Sequence, residues 1–447
     1  MPKRDLWIPL YLFACLVLGG ASNGGFLANG VLQVLGAATI AWALWFPASA
    51  FYGSTRVLTG LLVAGALVIL LQFVPLPSAV WELPVGRTEL VAEGAAIGID
   101  YAPLLWSILP AEALKSAVWL IPAMALVLAM LRLNAWQAQH LAWAIVAAMV
   151  LSVILGAIQL GQGEGSLAYF YAITNYGSTV GFFANSNHLA TLLLISLPFI
   201  AALIAHQLAT GREEFNWPFM AMGLGLILVV LTGIFINGSL TGFALAGPVG
   251  AASAMILVTS MPIRKAALIL LPLVLVGGLS WLLVTKQGAQ LLEFEELEAS
   301  SGSRQQIWAH TLTAIGDHLP LGSGLGTFAE VYPRYEDPAF VSKSYINHAH
   351  NEYLELLLEL GFVGVPITLA FLIWWIANLA RIWLREAADP FALAGAIAVG
   401  TILIHSIVDY PLRTAAISGI FAISLAMMAV RPTANAKTIP SANTEMR

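Results

Sequence analysis

The chain has 447 residues, of which 59% are hydrophobic and only 10% are charged. A soluble domain carries about 25% charged residues, so this composition excludes an ordinary water-soluble fold and indicates a chain that crosses a bilayer many times. The net charge of −5 gives no indication of a nucleic-acid partner. The single cysteine, Cys15, lies in the first apolar run and excludes an internal disulfide.

About twelve apolar runs follow one another along the chain, each close to the length that spans a bilayer. Lys3 and Arg4 precede the first run as in a signal sequence. No small-x-small cleavage site follows, so we interpret this run as an uncleaved first span. The pattern predicts an all-α polytopic membrane protein with about twelve transmembrane helices. The runs cover residues 6–22, 26–46, 57–75, 115–132, 138–160, 188–206, 218–236, 240–258, 266–285, 352–378, 391–409 and 413–431.

The distribution of Lys and Arg orients these spans. With the N-terminus in the cytoplasm, most basic residues fall on the cytoplasmic side, as the positive-inside rule requires. Three long connections, 76–114, 161–187 and 286–351, then lie outside, and long ordered loops tend to carry function. The predicted organisation is a unit of N-terminal helices over 1–174, a second membrane unit over 175–431 that contains the largest loop, and a polar cytoplasmic tail over 432–447.

The stretch INHAHNEYLELLLELGFVG, residues 346–364, places three glutamates at the start of an apolar run. At 100° per residue, Glu352, Glu355 and Glu359 fall on one narrow helix face. Carboxyl groups at membrane depth are costly and generally face a bundle interior or a wet cavity. Either partner helices satisfy these glutamates, or they line a polar site.

Two histidines precede the same run. His350 sits at the expected membrane boundary, where a neutral imidazole accepts a proton near pH 7 or serves only as an interfacial hydrogen bonder. His348, His350 and Glu352 are also chemically suitable as metal ligands. Their alternating spacing fits a strand or loop better than a helix start, and no second Cys or His cluster completes a closed site.

The large loop contains SSGSRQQIW, in which serines 300–303 predict a turn and a cap before a helix. Arg304 then projects from the first helical turn, where a guanidinium pairs well with a phosphate near helix N-terminal amides. The alternative is a surface arginine that balances the acidic run at 293–298, which we interpret as a short amphipathic lid. The glycine-rich segment 322–328 lacks a Walker lysine and predicts a tight turn.

Two further polar stretches stand at outside ends of apolar runs. In GFFANSNHLA, the side chains of Asn185, Asn187 and His188 either cap the sixth span or bind a sugar hydroxyl or phosphate. In HSIVDYPLRT, Asp409 and Arg413 either pair with each other or leave Arg413 as a second cation at the site.

Several of these motifs together resemble one family. His350, Asn351, Gly361 and Gly364 fill the order His-Asn, nine residues, Gly, two residues, Gly, which is similar to the signature of the O-antigen ligase and Wzy polymerase superfamily. SGSRQQIW…HLPLGSGLGTF resembles the large periplasmic loop of that superfamily, and GFFANSNHLA resembles its Asn-containing span start. The resemblance extends over roughly residues 175–415.

Members of this superfamily transfer a glycan from an undecaprenyl-diphosphate carrier to an acceptor at the periplasmic face of the bacterial inner membrane, on a GT-C-like architecture. The resemblance implies that His350 is the general base on the acceptor hydroxyl and that Arg304 holds the diphosphate leaving group. It implies neither a metal nor a cofactor. The further expected substrate contacts are Asn351, His348, Asn185, Asn187, Arg413 and Glu355.

The chain departs from the family pattern at Leu240, which follows Ser239 where ligases often carry an arginine. We expect Arg413, Arg334 or Lys343 to complete the set of cations. The acceptor is a lipid A core in a ligase, a glycan in a repeat-unit polymerase, or a protein in an O-oligosaccharyltransferase. Outside this class, twelve spans with buried glutamates also permit a secondary transporter, although no inverted repeat is visible, or a structural role in a polysaccharide assembly complex.

Overall fold

The computed structural model describes residues 4–46, 53–99, 104–133, 136–210, 216–258, 260–284, 304–336, 338 and 346–430. Four expectations fall outside these ranges: the amphipathic lid at 293–298, the turn and cap at 300–303, the cation Lys343 and the polar tail at 432–447. Over the described ranges the chain folds into seventeen α-helices joined by turns and short 3₁₀ segments, with only isolated β-bridges.

The helices follow the predicted runs closely. The first eight are α1 (Trp7–Leu18), α2 (Phe26–Trp45), α3 (Ser54–Leu71), α4 (Ser78–Trp81), α5 (Val85–Ala96), α6 (Pro110–Trp119), α7 (Ile121–Leu133) and α8 (Ala138–Gln162). The remaining helices are α9 (Ser186–Thr210), α10 (Trp217–Asn237), α11 (Leu240–Ala254), α12 (Met261–Val284), α13 (Arg304–His318), α14 (Phe328–Val331), α15 (Glu352–Trp383), α16 (Pro390–His405) and α17 (Ala415–Ala429).

Seven of the described helices are long and apolar enough to cross a membrane: α2, α3, α8, α9, α10, α11 with its 3₁₀ extension, and α15. The number rises to eight if α6 and α7, which meet at a 44° bend, form one span. Helices α1, α16 and α17 are apolar but have only 12, 16 and 15 residues. The all-α membrane class is confirmed, and a helix overlaps each of the twelve predicted runs.

Helix α9 forms the centre of the bundle. Its apolar window is 94% buried, whereas that of α3 is 11% buried. Helices α8, α10, α11 and α16 all pack against α9. A helix that is apolar all round needs neighbours on every side, which explains its central place. Because α9 begins at Ser186, its N-terminal end carries the Asn185–His188 motif into the bundle.

The glycine-rich segment of the large loop docks onto a break in α15. Gly361 has φ 56°, so the helix ladder is interrupted there. The Phe362 amide donates to the Pro320 carbonyl oxygen instead of completing the ladder. The Leu358 and Glu359 carbonyl oxygens, released by the break, accept from the amides of Ser323 and Gly324 at 2.8 Å each.

The predicted tight turn is confirmed, because Gly322, Gly324 and Gly326 all have positive φ. The break in the tenth predicted run was not expected. It arises because Gly361 approaches the loop backbone so closely that a Cβ there would lie 2.6 Å from the Gly322 nitrogen.

Arg87 ties the loop over residues 76–114 to the same turn. It is fully buried in α5, and its Nη2 donates to the carbonyl oxygens of Trp106 at 2.7 Å and Gly322 at 2.6 Å. Its guanidinium also stacks 5.1 Å from the Trp81 ring centroid. Burial lowers the pKa of Arg87 to about 10. The two longest described connections are therefore one packed unit above the helices, and this unit fixes the start of α15.

Candidate active site

The start of α15 is set by a capped turn. The Oδ1 atom of Asn351 accepts from the amides of Tyr353 at 3.0 Å and Leu354 at 3.1 Å, which satisfies two donors of the first helical turn. His350 precedes this cap with φ 49°, a left-handed conformation that non-glycine residues adopt rarely and mostly at functional sites. Asn351 therefore acts as a helix cap, and its expected contact with substrate stays a prediction.

His350 faces Asp409 from the turn between α16 and α17. His350 Nδ1 lies 3.3 Å from Asp409 Oδ1, without the alignment of a hydrogen bond. The His350 side chain is 25% exposed and that of Asp409 is fully buried. Burial by itself raises the pKa of Asp409. The contact with His350 and the charges of His188 and Arg304 lower the pKa by a larger amount, so the net shift is downward. An anionic aspartate beside a partly exposed imidazole is the arrangement that orients a general base.

Tyr410 packs against three histidines near the pair formed by His350 and Asp409. The centroid of its buried ring lies 4.2 Å from the ring centroid of His348, 4.9 Å from that of His350 and 5.1 Å from that of His188. Burial raises the pKa of the Tyr410 hydroxyl, so it stays neutral near pH 7. His405 lies close by, with Nδ1 2.8 Å from the Thr191 hydroxyl.

Arg304 is the first described residue of α13, and the predicted turn and cap at 300–303 lies outside the described residues. Its positive charge is one of the smaller contributions that lower the pKa of Asp409, and it partly offsets the raised pKa of Tyr410. Of the two residues with predicted catalytic roles, His350 lies 3.3 Å from Asp409, whereas the phosphate-binding role of Arg304 stays a prediction.

Arg413 does not pair with Asp409, and that alternative is wrong. Its Nη2 atom lies 3.1 Å from Glu355 Oε1 and 3.1 Å from Glu359 Oε2. The reason is the 3₁₀ turn Pro411–Arg413, which directs Arg413 toward α15 while Asp409 stays beside His350. Burial by itself lowers the pKa of Arg413. The neighbouring glutamates raise the pKa by a larger amount, so the net shift is upward.

The glutamates of α15 hold the chain that precedes the helix. Glu355 accepts from Ala349 N at 2.9 Å, and its other oxygen lies 2.8 Å from His348 Nδ1. Glu352 accepts from the Ser406 hydroxyl and the Leu412 amide, both at 2.8 Å. Both residues thus fix the two segments that carry His350 and Asp409. The alternative metal site is not formed, since within the described ranges no three His, Cys, Asp or Glu side chains are grouped as metal ligands.

The Asn-containing motif joins α9 to α11. Asn185 Oδ1 accepts from the Asn187 amide at 2.8 Å, and Asn187 Oδ1 accepts from the Ser239 hydroxyl at 2.7 Å. Ser239 in turn caps α11 at Gly242 N. The capping alternative is therefore confirmed for Asn185, whereas Asn187 binds Ser239, and binding of a substrate by Asn185 and Asn187 stays a prediction.

A cavity of about 270 Å³ opens beside the arginine and the glutamates. Of the predicted site residues it is lined by His348, Glu355 and Arg413. His350 and Arg304 are not among its lining residues. The sequence analysis missed the partnership of Asp409 with His350 and the role of Tyr410, although the close sequence spacing of His405, Asp409 and Tyr410 was a signal.

Residues 224–369 match the family model described as O-antigen ligase. The matched segment is roughly a third of the chain and contains Arg304, His350 and the break at Gly361. No curated protein matches the chain. The motif geometry and this match agree with the resemblance seen in the sequence. Residues 224–369 are therefore similar to the O-antigen ligase family, which supports the resemblance of the chain to the O-antigen ligase and Wzy polymerase superfamily of glycan-transferring membrane enzymes.

Proposed function

We propose that this protein transfers a glycan from undecaprenyl diphosphate to an acceptor hydroxyl at the periplasmic face of a bacterial inner membrane. The observation that carries this proposal is the placement of His350, 25% exposed, 3.3 Å from the buried Asp409. A base, its orienting carboxylate and a fixed cation are the groups that a displacement at an anomeric carbon needs.

In the proposed reaction the acceptor oxygen attacks the anomeric carbon of the lipid-linked sugar. The bond between that carbon and the diphosphate oxygen breaks, and the lipid diphosphate leaves with the electron pair. His350 takes the acceptor proton, and Asp409 stabilises the resulting imidazolium. A single displacement of this kind inverts the anomeric configuration.

In this proposal Arg304 stabilises the leaving group. It is the first residue of α13, a 15-residue helix whose N-terminal amides add positive potential for an anion. Arg413 is already paired with Glu355 and Glu359, so it is less suited to a diphosphate. Fixed cations take the charge that develops on the diphosphate, and the proposal therefore requires no metal and no other cofactor.

The proposal places about twelve spans in the membrane, with the loops at 76–114 and 286–351 on the periplasmic side. This orientation follows from the distribution of basic residues and brings the site to the depth where a lipid carrier presents its diphosphate. The expected acceptor is a lipid A core, a growing glycan or a protein.

The test uses purified protein, undecaprenyl-diphosphate-linked oligosaccharide, each candidate acceptor and a chelator. We expect release of undecaprenyl diphosphate that survives the chelator and is lost in Arg304→Ala and His350→Ala. The acceptor that gains mass then identifies ligase, polymerase or protein glycosylation. Transfer at the wild-type rate by His350→Ala would contradict the proposed base.

A further inference from the structure

The cavity beside Arg413 is chemically different from the surroundings of His350. It lies between α6, α14 and the first two turns of α15, with the 3₁₀ turn Pro411–Arg413 as one wall. One of its lining residues, His348, lies 4.2 Å from the Tyr410 ring centroid, and the His350 ring is 4.9 Å from the same centroid. A group in the cavity is therefore separated from His350 by little more than one aromatic ring.

Carboxyl groups outnumber cations in the lining. The two cations, Lys115 and Arg413, are both engaged: Lys115 with Glu112 at 3.1 Å, and Arg413 with two glutamates of α15. The five lining carboxyl groups belong to Glu112, Glu330, Glu352, Glu355 and Glu359. A phosphate or a carboxylate would meet repulsion here without a free cation to offset it.

Glu359 supplies a carboxyl oxygen that is not fully used, although the Gly326 backbone also interacts with this carboxyl group. The residue is fully buried and lines the cavity. Its Oε2 atom binds Arg413, but Oε1 has no hydrogen-bond partner in the described part of the chain. His348 Nε2 is also buried and also lacks a hydrogen-bond partner in the described part of the chain. A buried acceptor without a donor is costly, and a ligand hydroxyl or amine removes that cost.

The remaining walls suit a sugar ring. Trp119 and Phe328 contribute aromatic surface, and Leu120, Leu325 and Leu356 contribute aliphatic surface. A pyranose presents hydroxyl groups at its edges and C–H groups on its faces. The volume of about 270 Å³ lies just below the usual range for drug-sized ligands, about 300–1,000 Å³, and therefore corresponds to a single ring.

We propose that this cavity is a subsite for one sugar residue that is neutral or carries an amino group, bound through the carboxyl group of Glu359 and excluding phosphate and carboxylate. The inference rests on the proposed function, since it assigns the sugar to the glycan of the donor or of the acceptor. The diphosphate then belongs near Arg304, outside the cavity.

Binding is tested first without any transfer reaction. Saturation-transfer difference NMR on the full chain in nanodiscs uses methyl glucoside, methyl glucosaminide, methyl glucuronide and inorganic pyrophosphate as probes. We expect signals from the first two sugars that persist in excess pyrophosphate. Ala329→Trp, which fills the cavity, is expected to remove them, and Ala309→Trp on the exposed face of α13 to retain them.

Three outcomes overturn the proposal. These are a glucuronide signal that Ala329→Trp removes, displacement of the neutral sugars by pyrophosphate, and equal sugar signals in Ala329→Trp and wild type. Because this arm requires no catalysis, it stands or falls independently of the proposed transfer reaction.

Kinetics then identify the source of the sugar. Glu359→Gln exchanges one oxygen acceptor for an amide, and we expect the KM of one substrate to rise at least about fivefold with kcat little changed. A rise for the lipid-linked donor assigns the cavity to the donor glycan, and a rise for the acceptor assigns it to the acceptor glycan. Glu89→Gln, on the exposed surface of α5, is the matched control. An unchanged KM for both substrates would contradict the role of Glu359.

Discussion

Two charged clusters meet at Tyr410 and differ in how their polar atoms are used. The arginine cluster comprises Arg413, Glu352, Glu355, Glu359 and His348. Both oxygens of Glu352 and both of Glu355 have partners at 2.8–3.1 Å, and the atoms without a partner, Glu359 Oε1 and His348 Nε2, belong to residues that line the cavity. The histidine cluster comprises His188, His350, His405 and Asp409. There, both Asp409 oxygens and both His188 ring nitrogens lack a hydrogen-bond partner among the described residues.

This difference suits the arginine cluster to stabilising the fold and the histidine cluster to catalysis. A buried charge whose hydrogen bonds are all made is held rigidly and cannot change partners cheaply. Within the arginine cluster, Glu352 and Glu355 therefore fix the two segments that carry the site. Buried groups with unused hydrogen-bonding capacity tend to mark functional positions. The histidine cluster retains unused hydrogen-bonding capacity next to His350, whose imidazole is partly exposed.

The largest expected effect is on the histidine cluster. His350→Ala removes the proposed base and should lower glycan transfer by about a thousandfold, within the range for general bases, with little change in stability. The assay is release of lipid diphosphate. His206→Ala is the control, because His206 lies about 30 Å from Asn187 along α9. A thousandfold loss in both variants would show that the effect is not specific to the site.

The arginine cluster should respond in stability instead. Arg413→Ala leaves Glu355 and Glu359 buried without their cation, which typically costs about 3–5 kcal/mol. Thermal unfolding followed by tryptophan fluorescence measures the loss. Arg334→Ala breaks the exposed ion pair with Glu93 and should cost under about 1 kcal/mol. Equal midpoints for the two variants would mean that the buried cluster does not support the fold.

Asp409→Asn tests the orienting carboxylate. It removes the nearest anion to the His350 imidazole, so we expect a fall in kcat of about a hundredfold. In the wild type the lowered pKa of Asp409 keeps the anion present above about pH 4, the ordinary range of a carboxyl group. A kcat equal to that of the wild type would contradict this role.

The smallest expected effect is that of a substitution at Gly361, where α15 is interrupted. Gly361→Ala places a Cβ 2.6 Å from the Gly322 nitrogen at φ 56°, and a cost of about 1–3 kcal/mol is expected. In α10, Gly225 has nothing within 4 Å of an added Cβ, so Gly225→Ala should be neutral or slightly stabilising. Thermal midpoints compare the two, and a neutral Gly361→Ala would show that the loop shifts freely.

Local patterns predicted the elements and faces but not the long-range partners. Apolar periodicity located a helix at each run, and a helix follows the serines that precede Arg304. The spacing of Glu355 and Glu359 placed them on one face, which the shared contact with Arg413 confirms. The partnership of His350 with Asp409 depends on how α15 packs against the turn after α16, and no local pattern contains that information.

A double-mutant cycle of His350→Ala and Asp409→Asn tests the central claim most directly, with the transfer rate as the readout. If the two side chains act as one unit, the double variant should transfer no more slowly than His350→Ala alone, because the carboxylate acts only through the imidazole. Losses that multiply in the double variant would contradict the account and would give Asp409 a separate role.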